Sequence, residues 1–264
     1  MKNLFSVEGR VVVVTGGSRG IGEMIAAGYL ANGAKVYITS RKAEVCNATA
    51  QRLAEAWGGE CISIPADMAT LEGIEGFVSE LSSREAHVDV LVNNAGVAWG
   101  APLEEFPEIG WDKVMDTNVK GVFFLTQKLL PLLEQNAAHD APSHIINVGS
   151  IDGIKTPIFD NFSYGPSKAA VHHLTRVLAA HLIKRNIIVN GIAPGPFPTY
   201  MLSAGVGAGG DTENTDWDAL GKSNPRGRVG TPEDIAGLAI FLSSRASGFT
   251  VGDVITCDGG SVVS

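Results

Sequence analysis

Cysteine is scarce in this chain. Cys46, Cys61 and Cys257 are odd in number and far apart, with no CxxC or Cys/His spacing around them. That pattern excludes a disulfide framework and a metal site, and leaves buried, reduced thiols as the expectation. Charge is sparse as well. At 18% of residues it is too low for a disordered or coiled-coil protein. Positive charge is not in excess: the net charge of −8 argues against nucleic acid as a partner. The opening MKNLFSVEGR lacks the apolar segment of a signal peptide, and no apolar run approaches the roughly 20 residues that cross a bilayer. A soluble, cytoplasmic protein with no membrane or nucleic-acid partner is expected.

What is present points to a layered α/β fold. Apolar residues make up 45% of the chain, enough for a sizeable core, and the 32 glycines suit a backbone that turns tightly or approaches a cofactor. Short β-branched runs (RVVVVT, AKVYITS, ECISIPA, VDVLVNN, SHIINVGS, NIIVNGIA, GDVITCD) alternate with amphipathic stretches over residues 20–32, 43–57, 71–84, 111–133, 162–184 and 232–243. That rhythm predicts a doubly wound, Rossmann-like sheet of seven parallel strands with helices on both faces and strand order 3-2-1-4-5-6-7. No repeat or composition break divides residues 1–264, so one domain is expected. The Gly-rich, polar stretch at about 195–224 is expected to be a mobile lid over the active site, with room for short helices.

Tyr164, Lys168 and Ser150 form a proton-delivery set. Tyr164 and Lys168 are spaced i,i+4 in YGPSKAAVHHLTRVLAAHL and share a helix face. An ammonium beside a phenol favours the phenolate, so Lys168 is expected to lower the Tyr164 pKa toward the working range. Ser150 ends HIINVGS, where a strand would bring its hydroxyl to the sheet edge, within reach of a carbonyl oxygen.

The cofactor signals lie elsewhere. VVVVTGGSRGIG puts Gly16, Gly20 and Gly22 between a strand and a helix, in the setting where a turn and a helix N-terminus receive a pyrophosphate. After the second strand stands Ser40–Arg41–Lys42 instead of the carboxylate usual for NAD, and Arg19 can reach the same place. Those cations suit a 2′-phosphate and predict NADP(H). Asp67 is placed to accept from the adenine amino group or to cap the next helix. Asn94, Ala95 and Gly96 would let backbone lie against the adenosine ribose, with Asn94 partly bracing the sheet.

TGGSRGIG, NNAG, the Asn of MDTNV, the Ser of NVGS, YGPSK, the PG of APGPFPT and the terminal DGG occur in that order. On these motifs the chain resembles the short-chain dehydrogenase/reductase family over essentially its whole length. The resemblance implies that Tyr164 is the general acid for ketone reduction and the base for the reverse. Lys168 would hold the nicotinamide ribose, Ser150 would orient the carbonyl, and Asn118 would help hold a water that relays protons to Lys168. Thr199 would contact the nicotinamide carboxamide, and hydride would leave C4 from the pro-S face. Ser18, Ile21, Met68, Pro194, Gly195 and Phe197 complete the implied cofactor contacts.

Within that family the likeness is to 3-oxoacyl thioester reductases, especially a branch associated with rhamnolipid synthesis. The similar stretches belong to the shared scaffold, so the substrate stays open. Reductases of fatty acid synthesis tend to carry a basic cluster before the strand that ends in Ser150. Here EQNAAHDAPSH is longer and not basic, which leaves Arg176 and Arg185 for an acyl carrier protein and gives weight to a CoA thioester or free ketone. Trp99, Ile158, Phe159, Phe162, Met201 and Leu202 are candidates for an apolar substrate side, or for core. His172 and His173 are expected to serve packing or a subunit contact. The family's long helices imply a homotetramer. An NADP-dependent alcohol, polyol or steroid dehydrogenase and a non-catalytic NADP(H) sensor stand as alternatives, the sensor opposed by the intact Ser150, Tyr164 and Lys168.

Overall fold

The structure is a computed structural model and describes residues 1–157 and 159–264. Its element order begins with β1 (Val11–Thr15), α1 (Gly20–Ala31), β2 (Lys35–Thr39), α2 (Ala43–Trp57), β3 (Cys61–Ser63), α3 (Leu71–Arg84) and β4 (Val90–Asn93). It continues with α4 (Glu108–Met115), α5 (Gly121–Glu134), β5 (Ser143–Val148), α6 (Tyr164–Leu182) and β6 (Ile187–Pro194). α7 (Tyr200–Gly205), α8 (Trp217–Lys222), α9 (Pro232–Leu242) and β7 (Val254–Cys257) complete it.

The four valines and the threonine of β1 are all buried. A strand apolar on both sides needs cover on both faces, and β1 finds it in the interior of a parallel sheet. The strand order is β3-β2-β1-β4-β5-β6-β7. Side chains alternate across it. Val12 and Val14 join Ile25 and Tyr29 of α1 and Ile235 and Leu242 of α9 in one core. Val11 and Val13 face the other core, built with Phe77 of α3, Leu125 and Leu129 of α5 and Leu178 of α6. The order reverses between β1 and β4, which opens a crevice at their C-terminal ends.

Several elements differ from the expected bounds. The helix expected over 111–133 begins at Glu108, after Pro107. Pro107 needs no N–H there, and Gly110 had masked the start. Between α4 and α5 the chain makes one wider π turn, Asp116–Lys120, which carries Asn118. α6 spans Tyr164–Leu182, shorter at both ends than 162–184, and a tight turn over Ile183–Arg185 ends on Asn186 in the left-handed region at φ 57°. β3 itself is short, yet Ile64 N–H still donates to Ile38 O at 3.0 Å and Ala66 N–H to Ser40 O at 3.2 Å. Pro65 interrupts the ladder because it has no N–H.

The stretch 195–224 is internally bonded and holds two short helices, for which the sequence had left room. Thr199 Oγ1 accepts from Leu202 N at the start of α7 (3.2 Å), and Asp216 Oδ1 accepts from Ala219 N at the start of α8 (2.8 Å). The Ser203 and Thr215 hydroxyls join at 2.7 Å, and Trp217 Nε1 donates to Thr212 O at 2.9 Å. Among the described residues no helix is long and apolar enough to cross a membrane.

α9 opens on a charged cap. Asp234 accepts from Thr231 N at 2.8 Å and from the Thr231 hydroxyl at 3.1 Å, and pairs with Arg228, whose Nη2 lies 3.0 Å from Oδ1. The Arg228 hydrogen bond is the main reason its carboxyl titrates at about 2, with Thr231 helping and desolvation opposing. A depressed pKa contributes stability above the unfolded value of about 4, and that contribution fades as pH falls through about 2. Asp234→Ala should therefore cost about 1 kcal/mol in urea unfolding at about pH 7, and less of it at about pH 3. An equal cost at both would deny the charged cap.

Candidate active site

At the crevice, Thr15 and Asn94 tie β1 to β4. Thr15 Oγ1 accepts from Asn94 N and Ala95 N, each at 2.9 Å, and Asn94 Nδ2 donates to Thr15 O at 2.8 Å. Asn94 thus braces the sheet, and its backbone is held open beside the turn. That turn needs glycine. Gly16 and Gly20 have φ of 64° and 57°, and a Cβ at Gly22 would sit 2.4 Å from both Asn94 Nδ2 and Gly16 O. The turn feeds the N-terminus of α1 and faces Thr199, whose Cγ2 would lie 3.2 Å from a Cβ at Gly20.

The end of β2 offers unspent polar capacity. Ser40 Oγ and Thr39 Oγ1 are buried with no hydrogen-bond partner among the described residues. Arg41 and Lys42 are exposed and, among the described residues, neither forms an ion pair. Arg19 places its guanidinium 4.9 Å from the centroid of Tyr200, the first residue of α7. Orphaned hydroxyls, cations and a glycine turn at a helix start fit a phosphorylated dinucleotide.

Asp67 does not cap α3. Thr70 does, accepting from Gly73 N at 3.1 Å, because it stands immediately before the helix. Asp67 Oδ1 instead accepts from Ala69 N at 3.0 Å. The side chains of Met68 and Phe197 are buried in the two cores. Ser18 is buried and its carbonyl accepts from Thr49 Oγ1 at 3.1 Å, while Ile21 packs at the core margin. Gly195 is closed against Asp258, 2.7 Å from where its Cβ would stand, directly after buried Pro194.

Ser150 follows β5, and Tyr164 opens α6. Lys168, 4% exposed, donates from Nζ to Val148 O at 2.9 Å, with Nζ 5.5 Å from the Tyr164 ring centroid. Asn118 Oδ1 accepts from Val97 N at 2.9 Å, while its Nδ2 donates to Val97 O and Ser167 Oγ, each at 3.0 Å. Ser167 Oγ donates in turn to Tyr164 O at 2.7 Å. A Cβ at Gly96 would lie 3.5 Å from both Asn118 Oδ1 and Lys168 Nζ, so the strand-end loop runs beside both. Beneath the site, Asn93 Nδ2 bonds Asn147 Oδ1 at 2.9 Å, and Asn147 Nδ2 bonds Thr175 Oγ1 at 3.0 Å.

The pKa expectation for Tyr164 is overturned in this structure. Desolvation pushes the phenol up to about 12; the Ser150 hydroxyl opposes this, and Asp152 adds to it. The same burial lowers Lys168 to about 8, partly offset by Asp152. The i,i+4 spacing brings the two together, and burial drives both toward the neutral form.

Two participants escaped the sequence reading, and a third, His172, was expected to serve packing or a subunit contact. Ser167 links Asn118 to Tyr164. Asp152 lies near enough to act on both Tyr164 and Lys168, and its own carboxyl is pushed up, chiefly by burial. The signal for it was an acid two places after a strand-end serine in HIINVGSIDGI. His172 lies under Ser150, whose N–H donates to Nε2 at 3.4 Å.

Of the apolar candidates, Phe162 is partly exposed and meets Phe106 edge to face at 5.8 Å between centroids. Trp99 packs on Gly110 and under Lys113, with Nζ 5.2 Å from the ring centroid. Phe159 lies by Gly205, at 3.8 Å from where its Cβ would stand, and Met201 is exposed on α7, next to Leu202. Ile158 lies outside the described residues.

A family model described as enoyl-(acyl carrier protein) reductase matches residues 16–262. The chain is 46% identical over 260 residues to the rhamnolipids biosynthesis 3-oxoacyl-[acyl-carrier-protein] reductase of Pseudomonas aeruginosa, covering 98% of this chain and 99% of that protein. It is 38% identical to the gluconate 5-dehydrogenase of Gluconobacter oxydans, covering 99% of this chain and 98% of that one. Among solved structures, the Pseudomonas aeruginosa RhlG/NADP active-site complex superposes with a TM-score of 0.91 at 45% identity, covering all of both chains. With these matches over nearly its full length, on a seven-stranded sheet in the order 3-2-1-4-5-6-7, the chain belongs to the short-chain dehydrogenase/reductase family of oxidoreductases.

Proposed function

We propose that this protein reduces a ketone to a secondary alcohol with NADPH, and that its substrate is a 3-oxoacyl thioester. The observation that carries the reading is the meeting of Ser150, Tyr164 and Lys168 on the same fold as the glycine turn and cations that, among the described residues, form no ion pair. The matched Pseudomonas reductase, named for a 3-oxoacyl substrate, supports the choice of substrate.

When bound, the nicotinamide supplies the hydride. The glycine turn from Gly16 to Gly22 would receive the pyrophosphate at the α1 N-terminus. Ser40, Arg41 and Arg19 would take the 2′-phosphate, and Asp67 the adenine amino group. Thr199 keeps a free O–H after accepting from Leu202 N, and can donate it to the carboxamide.

The protein moves the proton. Ser150 donates a hydrogen bond to the ketone oxygen and fixes its direction. Tyr164, with its high pKa, is fully protonated at neutral pH and delivers its proton to the developing alkoxide. Lys168, charged below about pH 8, stabilises the phenolate left behind. The Asn118 side chain is spent on Val97 and Ser167, so its share in a proton-relaying water falls to its main chain.

The segment 195–224 closes over the substrate, with the α7 end anchored at the glycine turn through Arg19 and Tyr200. Arg185 is already paired with Glu134, which leaves Arg176 for a carrier protein and favours a CoA thioester. The exposed Phe123 and Val177, on α5 and α6, support pairing of these helices between copies in a tetramer. A second reading, a polyol or sugar-acid dehydrogenase, is favoured by the match to gluconate 5-dehydrogenase and by Asp152, whose carboxyl can bond substrate hydroxyls.

NADPH oxidation against 3-oxoacyl-CoA thioesters of rising length, with 5-ketogluconate alongside, separates the two. Tyr164→Phe should lower kcat at least about 100-fold. Turnover confined to ketogluconate would replace the acyl assignment. Reduction should also weaken as pH rises through about 8, where Lys168 loses its proton. The Asp152 carboxylate raises the Lys168 pKa, so Asp152→Asn should move that alkaline limb to lower pH. A limb that stays in place would show that Asp152 does not act on Lys168.

A further inference from the structure

The turn that carries Ser150 is wrapped around an imidazole. His172 stands one helical turn beyond Lys168 and is 6% exposed. A Cβ at Gly149 would lie 2.1 Å from its Nε2, and a Cβ at Gly153 would lie 2.8 Å from its Cε1. Gly149 therefore clears the volume the ring fills, while Gly153 lets the turn lie against the α6 backbone as well as the ring, since its Cβ would also stand 2.7 Å from Lys168 C and Ala169 N. Into that space Ser150 points its backbone N–H, which donates to Nε2 at 3.4 Å. On its other side, Ser150 Oγ accepts from Asp152 N at 3.1 Å.

Accepting requires an unprotonated Nε2 and so places the ring proton on Nδ1. Desolvation, then the Lys168 and Arg176 charges, lower the His172 pKa to about 4. The imidazole is thus neutral between about pH 4 and about pH 8, where Lys168 is still charged. A side chain that only filled space would not need a nitrogen facing Ser150.

We infer that His172 is a positioning residue for ketone reduction: its neutral Nε2 holds the Ser150 backbone and thereby aims the Ser150 hydroxyl at the substrate carbonyl. The inference rests on the assignment of Ser150 as the carbonyl-orienting group. It concerns the direction of a bond, so its effect belongs in kcat rather than in cofactor affinity.

A double-mutant cycle tests it. Ketone reduction is measured for the full-length protein and for Ser150→Ala, His172→Leu and the double variant, with NADPH affinity read by fluorescence titration. His172→Leu should lower kcat about ten- to a hundredfold with NADPH affinity unchanged. In the Ser150→Ala background the same change should have almost no further effect. His172→Gln, which retains an acceptor of similar reach, should recover most of the loss. Full additivity of the two losses, or a Gln variant no better than Leu, overturns the inference while leaving Ser150 in place. A Ser150→Ala variant as active as the parent overturns the Ser150 assignment, and this inference with it. If His172→Leu fails to fold, His172→Met takes its place in the cycle under the same criteria.

Discussion

The clamp between Thr15 and Asn94 is the constraint on which the site depends. It joins residues nearly 80 positions apart, at the one place where adjacent strands depart in opposite directions. Thr15 spends its hydroxyl on two backbone N–H groups beyond β4, and Asn94 spends its amide on the end of β1. The two strand ends are thereby kept side by side while their connections diverge. Gly22 must lack a side chain because Asn94 occupies that space, and Gly96 can run beside Lys168 and Asn118 because the loop that carries it starts from a fixed point. Cofactor side and proton side are built outward from the same few bonds.

A second layer carries that rigidity across the sheet. Asn93, Asn147 and Thr175 form a buried polar chain from β4 through β5 to α6. Such groups are costly unless fully satisfied, and here each finds a partner. The chain meets α6 two turns below Lys168, so the helix bearing Tyr164 and Lys168 is held to the sheet by directional bonds as well as by apolar packing. Burial that dense also explains why the phenol and the ammonium both depart from their ordinary pKa values in the direction of the neutral form.

Much of the frame was legible. Runs such as VVVVT can only be interior strands of a covered sheet, and each β-branched run became a strand. Tyr164 and Lys168 could be paired from their spacing, and Gly16, Gly20 and Gly22 from their place after β1. What escaped depends on three-dimensional neighbours. Spacing told that Lys168 would lie near Tyr164, but not how little water surrounds them, so the direction of the Tyr164 shift was wrong. Asp67 and Thr70 are both plausible caps by residue type, and only the helix start decides between them. The glycines of 195–224 left room for short helices without placing them, and the caps at Thr199 and Asp216 fix where the two lie. His172 read as packing because the partner that gives it a direction is a backbone N–H, which no side-chain pattern records.

The ring of His172 and the clearance at Gly149 also constrain how this turn can diverge among descendants of the chain. Gly149 cannot acquire a side chain while the imidazole is in place, since a Cβ would stand 2.1 Å from Nε2, whereas one at Gly153 is barred by the α6 backbone as well, 2.7 Å from Lys168 C and Ala169 N. At Gly149 the ring must shrink first, and a smaller residue there leaves a void until the glycine is replaced. Any lineage that replaces Gly149 passes through an intermediate with a loosened Ser150. Gly149 and His172 are therefore expected to drift as a pair, in a fixed order of replacement, and to be frozen together wherever carbonyl reduction is under selection.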